Sequence, residues 1–245
     1  MSLMLLGLNH RTAPVEVRER LAFSREGVAT ALMLFKRQFP DAEATIRSTC
    51  NRVELLVASE QAMPDLHAVV EFMAHARALP AEKFRDHLYE HHGPDAVRHV
   101  LEVVSGLDSM VVGEYQIVNQ MKEAYTQAGE QETVGRVLHR LFHHAFAVSK
   151  RIRTETEVGV GKLSVPAVAV DVGQRLFTDF ADKHTLVIGA GEMAQLACQY
   201  LRDADARSFT ITTRTLNNAR ALAEACGGEA APFDRLDEEL PKRTS

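Results

Sequence analysis

The chain has 245 residues, of which 46% are hydrophobic and 25% are charged, and its formal net charge is −5 at pH 7. Such a chain can bury one large core or two smaller ones, and its acidic balance argues against indiscriminate binding of nucleic acid. The three cysteines, Cys50, Cys198 and Cys226, lie far apart in the sequence, which argues against a disulfide framework. No segment is long and apolar enough to cross a bilayer. These features together indicate a reducing, cytoplasmic location.

The first region, residues 1–157, combines two predicted strands with a series of predicted helices. The strands are the apolar runs Leu3–Leu8 and Val53–Ala58, and the first lacks a basic leader, so we interpret it as a strand and not as a signal peptide. Helical spacing of apolar residues predicts helices over Val15–Phe23, Arg25–Phe39, Leu66–Ala78, Pro94–Val104, Glu114–Glu130 and Val134–Arg153. This mixture predicts an α+β domain.

The second region, residues 158–245, begins with a glycine-rich joint and then alternates helices with strands. Two short apolar runs, Thr185–Ile188 and Phe209–Thr212, are predicted strands. Helices are predicted over Ala167–Phe177, Met193–Leu201 and Asn218–Ala225. Regular alternation of this kind predicts the beginning of a parallel sheet, and therefore a partial α/β domain of the Rossmann type.

One thiol lies in a polar segment, Ser48–Glu54, between a helical pattern and an apolar run. Cys50 is flanked there by the hydroxyl of Thr49 and the guanidinium of Arg52, at a predicted junction of loop and strand. A nearby guanidinium favours a thiolate, which is the nucleophilic form of cysteine. Free cysteines are also among the most buried residues, so the residues alone leave a catalytic and a structural interpretation open.

A second polar stretch runs from Ser105 to Ile117 and contains Ser109 and Glu114. Glu114 is predicted in the first turn of the following helix, where a negative charge suits the helix dipole, and spacing alone favours a loop and cap with local hydrogen bonds. Upstream, His99 lies in a helical pattern and cannot be distinguished by sequence from the chain's other helical histidines. The pair His91-His92 is predicted as a solvated helix end, and no histidine has metal-site spacing that would predict zinc.

The segment Gly189-Ala190-Gly191-Glu192-Met193-Ala194 follows a predicted strand and opens a predicted helix. In that context, a Gly-x-Gly-x-x-Ala pattern predicts a dinucleotide-binding turn, in which Gly189 makes the turn, Gly191 lets amides approach a pyrophosphate and Ala194 permits close packing. The next strand is followed by Arg214 and not by an acid, which favours NADP over NAD. The alternative is a helix-capping glycine turn that binds nothing.

Several motifs along the chain together resemble the glutamyl-tRNA reductase family. They are the opening Gly7–Val15 with Arg18-Glu19, the cysteine segment, the stretch from Ser105 to Lys122, the run Arg153–Thr156 and the glycine turn. The chain departs from the family pattern at Tyr115 instead of proline, at Val118-Asn119 instead of leucine-glycine, and at Thr213 instead of asparagine before the arginine. None of these departures removes a catalytic group, although Thr213 bears on cofactor geometry.

The resemblance implies an α+β N-terminal catalytic domain, residues 1–157, followed by a truncated NADP-binding Rossmann domain, residues 158–245. It implies reduction of glutamyl-tRNA(Glu) to glutamate-1-semialdehyde, with NADPH as cofactor, in the first step of five-carbon porphyrin biosynthesis. Cys50 and His99 would be the catalytic residues. Cys50 would form a thioester, and His99 would lie near it, where it could exchange a proton with the departing ribose oxygen or stabilise the thiolate. The glutamyl group would be bound by Thr49, Asn51, Arg52, Ser109, Glu114, Tyr115, Gln116 and Gln120.

The resemblance also implies partners. The partners are glutamyl-tRNA(Glu) and the downstream glutamate-1-semialdehyde aminomutase. No association with a membrane is expected. Full-length members dimerise through a C-terminal helix that lies beyond Ser245, so we expect this chain to be monomeric or weakly associating. Two other functions stay open: a different NADP-dependent dehydrogenase with a structural cysteine, and a non-catalytic regulator that binds tRNA or a tetrapyrrole.

Overall fold

The computed structural model describes residues 2–114, 116–159, 164–177, 179–236 and 240. Its contacts divide the chain into two compact units, Met1–Gly159 and Val160–Ser245. The division falls two residues after the boundary expected at residue 157. Among the described residues, no helix combines the length and the apolar character needed to span a membrane.

The first unit contains an antiparallel sheet and six α-helices within its described residues. The strands, in the order β2-β3-β1-β4 across the sheet, are β1 (Ser2–Asn9), β2 (Ala42–Ser48), β3 (Arg52–Ser59) and β4 (Tyr89–His92). The helices are α1 (Val15–Leu21), α2 (Arg25–Gln38), α3 (Leu66–Ala76), α4 (Gly93–Val104), α5 (Gln116–Glu130) and α6 (Arg136–Glu155). The predicted α+β class is confirmed.

Both faces of this sheet are covered, because successive side chains of a strand point to opposite faces. On one face, Leu8 and Val57 pack with Phe35 and neighbouring residues of α1–α3. On the other face, Leu5 packs with Phe142 and the apolar residues of α4, α5 and α6. All eight residues of β3 are buried, so the polar side chains that β3 carries must find partners inside the protein.

Two strands of this sheet were not predicted. The segment assigned to a helix end, His91-His92, belongs instead to β4, where His92 pairs with Met4 and His91 with Leu5. That prediction was wrong because β4 has only four residues, which are polar and half-exposed at a sheet edge, so it lacks an apolar signal. β2 also forms an edge, and its polar residues obscured its alternation.

The second unit has a three-stranded parallel sheet in its described part, with the order β5-β6-β7. Its elements are α7 (Val165–Leu176), β5 (His184–Ile188), α8 (Glu192–Asp203), β6 (Ser208–Thr213), α9 (Leu216–Cys226) and β7 (Glu229–Pro232). The sheet and helices enclose a core that includes Phe209, Ile211 and Leu222. The predicted parallel alternation is confirmed, and β7 adds a strand that was not predicted.

Candidate functional site

The cysteine lies in a three-residue loop that joins β2 to β3. The backbone N–H of Thr49 donates to the carbonyl of Arg52 at 2.9 Å, which closes the hairpin. The Thr49 hydroxyl oxygen accepts from the N–H groups of Asn51 (3.3 Å) and Arg52 (3.2 Å). The side chain of Cys50 is exposed. The thiol is therefore accessible on a loop whose backbone is fixed.

The opening segment of the chain holds this loop from outside. Arg18 Nη1 donates to the carbonyl of Cys50 at 2.6 Å and to Asn51 Oδ1 at 3.4 Å. The backbone N–H of His10 donates to the carbonyl of Asn51 at 2.9 Å. The loop is thus anchored mainly through its carbonyl groups, which leaves the cysteine side chain free of these contacts.

Arg52 is turned towards internal carboxylates. Its side chain is 3% exposed, and Nη1 donates to Glu54 Oε1 at 3.0 Å. Nη2 donates to the carbonyl of Asp108 and lies 2.9 Å from Asp108 Oδ2, while Arg11 Nη1 binds Asp108 Oδ1 at 2.9 Å. Burial lowers the pKa of Arg52, but Glu54, Tyr89 and Asp108 outweigh it and raise that pKa. The guanidinium expected beside the thiol is therefore engaged with Glu54 and Asp108.

Glu54 is the centre of a polar cluster, which we define as Arg47, Arg52, Glu54, Tyr89, His99 and Asp108. Oε1 of Glu54 accepts from Arg52, from the hydroxyl of Tyr89 (2.6 Å) and from His99 Nε2 (2.6 Å), and Oε2 lies 3.1 Å from Arg47 Nη2. Burial acts to raise the pKa of this carboxyl, but Arg47, His99 and Arg52 hold it well below its usual range. Burial and then Glu54 raise the pKa of Tyr89.

His99 lies on α4, and its polar contact is with Glu54 rather than with Cys50. Its side chain is 10% exposed, and the ring stacks on His91 with centroids 4.7 Å apart. Burial and then His99 lower the pKa of His91. His99 is connected to the cysteine loop through Glu54 and Arg52, so proton transfer by His99 stays a prediction.

The loop from Ser105 to Glu114 is closed by its two glycines. Gly106 and Gly113 have φ angles of 75° and 85°, and the N–H of Gly113 donates to the carbonyl of Gly106 at 3.0 Å. A Cβ on Gly106 would lie 3.0 Å from the backbone of Gly113, so the close approach requires glycine. The loop presents Asp108 to the polar cluster and buries Ser109, whose Oγ has no partner among the described residues.

Glu114 does not lie in the first helical turn, which corrects the prediction. Its N–H donates to the carbonyl of Val111 in a turn, and α5 begins at Gln116. The positive φ of Gly113 keeps that residue itself out of the helix. Burial raises the pKa of Glu114. Gln116 and Gln120 are half-buried one helical turn apart, and Tyr115 lies outside the described residues.

Glu54, Arg47, Tyr89 and Asp108 were not predicted as site residues. One sequence signal points to Glu54: it follows Arg52 by two positions in a run that is otherwise apolar, which places both charges on one buried face. A buried acid requires a charged or hydrogen-bonding partner. The roles of Tyr89 and Asp108 depend on tertiary contacts alone, and no sequence signal indicates them.

In the second unit, the glycine turn lies between β5 and α8 as predicted. Gly189 has a φ angle of 112°, and its N–H donates to the carbonyl of Thr212 at 2.7 Å. Gly191 immediately precedes α8, and no side chain caps this helix. A Cβ added at either glycine would meet no atom within 4 Å, so the space beside the turn is open. Such a helix N-terminus can bind a phosphate.

The other predicted cofactor residues lie around this turn. Ala190 and Ala194 are partly buried against the core of the second unit. Glu192, Met193 and Arg214 are exposed, and Arg214 directly follows the last residue of β6. The carboxyl ends of parallel strands are where α/β domains bind nucleotides, and this is where Arg214 lies. Within the described ranges, no group of three or more His, Cys, Asp or Glu could hold a metal ion.

A comparison with protein families gives a match over more than half of the chain. Residues 6–156 match the family described as glutamyl-tRNAGlu reductase, N-terminal domain. This chain belongs to the glutamyl-tRNA reductase family. Residues 171–243 match a second family, shikimate / quinate 5-dehydrogenase, which agrees with a dinucleotide-binding fold in the second unit.

Members of the glutamyl-tRNA reductase family are similar along nearly the whole chain. Glutamyl-tRNA reductases from Alkalilimnicola ehrlichii and Geobacter sulfurreducens are 43% and 41% identical over 99% of it. The solved glutamyl-tRNA reductase from Methanopyrus kandleri superposes with a TM-score of 0.60 at 33% identity, over 96% of this chain and 55% of that structure. The chain spans about half the length of the curated relatives it matches, 54% and 56% for the two named here.

Proposed function

We propose that this chain carries the glutamyl-binding and thioester-forming part of a cytoplasmic, NADPH-dependent glutamyl-tRNA reductase. The reaction would convert glutamyl-tRNA(Glu) to glutamate-1-semialdehyde, the first step of five-carbon tetrapyrrole biosynthesis. Membership of the family supports this function. The observation that carries it is an exposed Cys50 thiol on a loop fixed through its backbone and bordered by a buried polar cluster.

In this proposal, the Cys50 thiolate attacks the ester carbonyl that joins glutamate to the terminal ribose. A carbon–sulfur bond forms, the carbon–oxygen bond to the ribose breaks, and the ribose oxygen takes a proton as the tRNA leaves. Arg18 and His10 keep the loop in place during the attack, because they bind its carbonyls and not its thiol. His99 acts as a positioning residue, since its Nε2 binds Glu54.

The glutamyl group would lie in the space between the cysteine loop and α5. Thr49, Asn51, Ser109, Glu114, Gln116 and Gln120 would form its walls, and Tyr115, which lies outside the described residues, stays a predicted substrate-binding residue. Arg52 would contribute by holding Asp108 at this wall, and a direct bond from Arg52 to the substrate requires the Arg52–Asp108 pair to open. Among the described residues, the Ser109 hydroxyl and the Gln120 side-chain oxygen have no hydrogen-bond partner, and a polar ligand would bind such groups.

Bound NADPH would supply the hydride that reduces the thioester. The N-terminus of α8 would bind the pyrophosphate through the amides that follow Gly189, because no side chain caps this helix and the space beside Gly189 and Gly191 is open. Glu192, Met193 and Ala194 form the first turn of that helix. Arg214 would bind the 2′-phosphate that distinguishes NADPH from NADH.

The experiment that tests the function mixes the chain with charged tRNA and measures its intact mass. We expect a mass increase of one glutamyl group, which Cys50→Ser abolishes, because an alcohol without a base is a far weaker nucleophile at neutral pH. Cys226→Ser, at a buried cysteine of the second unit, is the matched control and should retain the adduct. An adduct that persists in Cys50→Ser would overturn the assignment.

The same measurement separates the two alternative functions. The match of residues 171–243 to shikimate / quinate 5-dehydrogenase favours, as second candidate, a dehydrogenase with a structural cysteine. A dehydrogenase of that kind, or a regulator that binds tRNA or a tetrapyrrole, requires no adduct on Cys50. We further propose that this chain is monomeric or weakly associating, that the full-length protein is a homodimer, and that glutamate-1-semialdehyde aminomutase is its downstream partner.

A further inference from the structure

The second unit contains two cysteines, Cys198 and Cys226, whose thiols are in contact. Cys198 is fully buried on α8, and Cys226 is the last residue of α9. Both belong to the hydrophobic core of this unit, and the side chain of Cys198 forms a hydrogen bond with that of Cys226. Each is a free thiol. Two reduced sulfur atoms therefore lie side by side between two helices.

An arginine one helical turn further along α8 holds the two helices in this arrangement. Arg202 and Cys198 are separated by one turn, so their side chains lie on the same face of α8. The Nη1 atom of Arg202 donates to the carbonyl of Ala225 at 2.9 Å, and Ala225 immediately precedes Cys226. A second contact between the same two helices thus supports the contact between the thiols.

The end of α9 is fixed by the chain that follows it. Gly227 ends the helix in the left-handed region, with a φ angle of 70°, and the N–H of Gly228 donates to the carbonyl of Ala223 at 2.8 Å. A Cβ on Gly228 would lie 2.7 Å from the carbonyl oxygen of Phe209 on β6, so this close approach requires glycine. Cys226 directly precedes these glycines, and its position next to α8 is therefore set by the packing of the chain on β6.

A small molecule can reach Cys226. This residue is 7% exposed and lines a cavity of about 730 Å³, whose other walls include Gln199 and Arg202 of α8 and Asn218 of α9. Cys198, in contrast, has no exposed surface. A reagent that enters the cavity therefore meets Cys226 first, and Cys198 lies behind it as a second thiol.

We propose that Cys198 and Cys226 form a redox modification site, at which a small disulfide oxidises the two thiols to an internal disulfide that links α8 to α9. The Cys226 thiolate attacks one sulfur of the small disulfide, the S–S bond of the reagent breaks, and one half leaves and takes up a proton. The Cys198 thiolate then attacks Cys226 Sγ and displaces the second half in the same way. In total, the two cysteines lose two protons and two electrons, and the reagent is reduced to two thiols.

The second exchange step is the slow one. Burial, followed by the contact with Cys226, raises the pKa of Cys198 to about 12, so little of its thiolate is present at neutral pH. The thiolate is the attacking species, and its scarcity slows the reaction. The contact between the two side chains acts in the opposite direction, because the attack is intramolecular. In a reducing compartment, we expect the pair to remain a dithiol until an oxidant enters the cavity.

The test uses the full 245-residue chain with Cys50→Ser, because the exposed thiol of Cys50 would itself react with the reagent. The folded protein is incubated with glutathione disulfide, then unfolded and alkylated, and its intact mass and peptide map are recorded. We expect a product that has lost two hydrogen atoms, takes up no alkylating reagent and has Cys198 joined to Cys226. A glutathione that persists on Cys226, or two thiols that are still free, would overturn the proposal.

The matched controls remove one thiol of the pair at a time in the same background. Cys198→Ser should retain one glutathione on Cys226, because no second thiol can displace it. Cys226→Ser should take up none, because Cys198 has no exposed surface. A glutathione on Cys198 in the second variant would show that the thiols react through an opened fold, and it would contradict a reaction that begins at Cys226. The first measurement keeps both cysteines and does not depend on the folding of these variants.

A link between α8 and α9 should also stabilise the second unit alone. The new bond closes a loop of the chain that includes β6, and a cross-link of this kind restricts the unfolded chain. We expect oxidation to raise the midpoint of the second unit's thermal transition by roughly 10 °C or more and to leave that of the first unit in place. Dithiothreitol should reverse the rise. A shift in both units, or in neither, would contradict a link confined to α8 and α9.

Discussion

Glu54 contacts four side chains inside the first unit. Burying its carboxylate is unfavourable, and the ion pairs that its charge makes offset that desolvation. Arg47 and Arg52 are both buried beside it, and each would lose a negatively charged partner if this carboxylate were neutral. Gly7 makes room for it, because a Cβ at residue 7 would lie 2.7 Å from the Glu54 Cγ. A Cβ at residue 7 would also lie 2.8 Å from the carbonyl oxygen of Val53, so the close approach of β1 to β3 at this point requires glycine.

Glu54→Gln tests this dependence through pH. The folded-state pKa of Glu54 is far below the usual 4.5, so its stabilisation is present above about pH 4.5 and is lost as pH falls towards the folded pKa. At pH 7, we expect Glu54→Gln to lower the free energy of unfolding by about 3–5 kcal/mol, as when a buried ion pair is broken. Below pH 4, the difference from the unsubstituted chain should shrink.

Urea unfolding of the first unit between pH 7 and pH 3 measures this difference. The matched control is Glu155→Gln, which removes an exposed carboxylate paired with Arg151 at 3.1 Å, and it should change stability little at any pH. A Glu54→Gln variant whose stability runs parallel to that of the unsubstituted chain over the whole range would show that Glu54 is not ionised in the folded protein.

At the level of residues, the sequence indicated which segments carry polar groups but not how those groups pair. The segment around Cys50 was found because a thiol, a hydroxyl and a guanidinium are adjacent in the chain. The partners of Arg52 were not found, because Asp108 is 56 residues away and meets it only in the folded protein. Residues that are adjacent in the sequence can be recognised as a polar segment, whereas ion pairs between distant elements depend on the fold.

At the level of elements, periodicity predicted the long helices and the apolar strands. α2 and α4 have buried residues at helical spacing, and β1 is a nearly continuous apolar run. The strands that were missed, β2, β4 and β7, lie at sheet edges. Their alternation is weak or too short to recognise, because β4 and β7 have only four residues each and β2 carries polar residues among its apolar ones.

The junction of β6 with α9 provides a prediction on cofactor choice. Arg214 is exposed at the carboxyl end of β6, where an arginine can bind the 2′-phosphate of NADPH. In a protein extended to the length of the curated relatives, we expect Arg214→Ala to reduce the preference for NADPH over NADH by about tenfold or more, as for a lost charged hydrogen bond. Fluorescence titration with both cofactors measures the ratio.

Measuring NADPH and NADH binding on the same variant provides an internal control, because general damage to the domain weakens the binding of both cofactors. Arg220→Ala, which removes an exposed arginine from α9, is a second control and should not change the ratio. If Arg214→Ala binds NADPH and NADH in the original ratio, another basic residue recognises the 2′-phosphate.

At the level of the whole molecule, each unit has its own hydrophobic core. The two clusters of the first unit include Phe35 and Leu138, and the cluster of the second unit includes Ile211. No residue of the third cluster comes from the first unit, among the residues that the structure describes. Each core can therefore be disrupted by a substitution within its own unit.

We expect the chain to unfold in two transitions that core substitutions shift separately. Leu138→Ala and Ile211→Ala each remove a fully buried side chain and should cost about 2–5 kcal/mol in their own unit. Calorimetry combined with amide hydrogen exchange assigns each transition to a unit. One transition that both variants lower together would mean that the two units unfold cooperatively.

The anchoring of the cysteine loop through carbonyl groups makes the natural chain suitable for single-site labelling. Arg18 and His10 bind atoms that a thiol reagent leaves untouched, so a fluorophore on Cys50 should extend into solvent without displacing the loop. Cys198 and Cys226 are buried, and burial, followed by the contact with Cys226, raises the pKa of Cys198 to about 12. A reagent that requires an accessible thiolate would therefore modify Cys50 first and report directly on whatever approaches it.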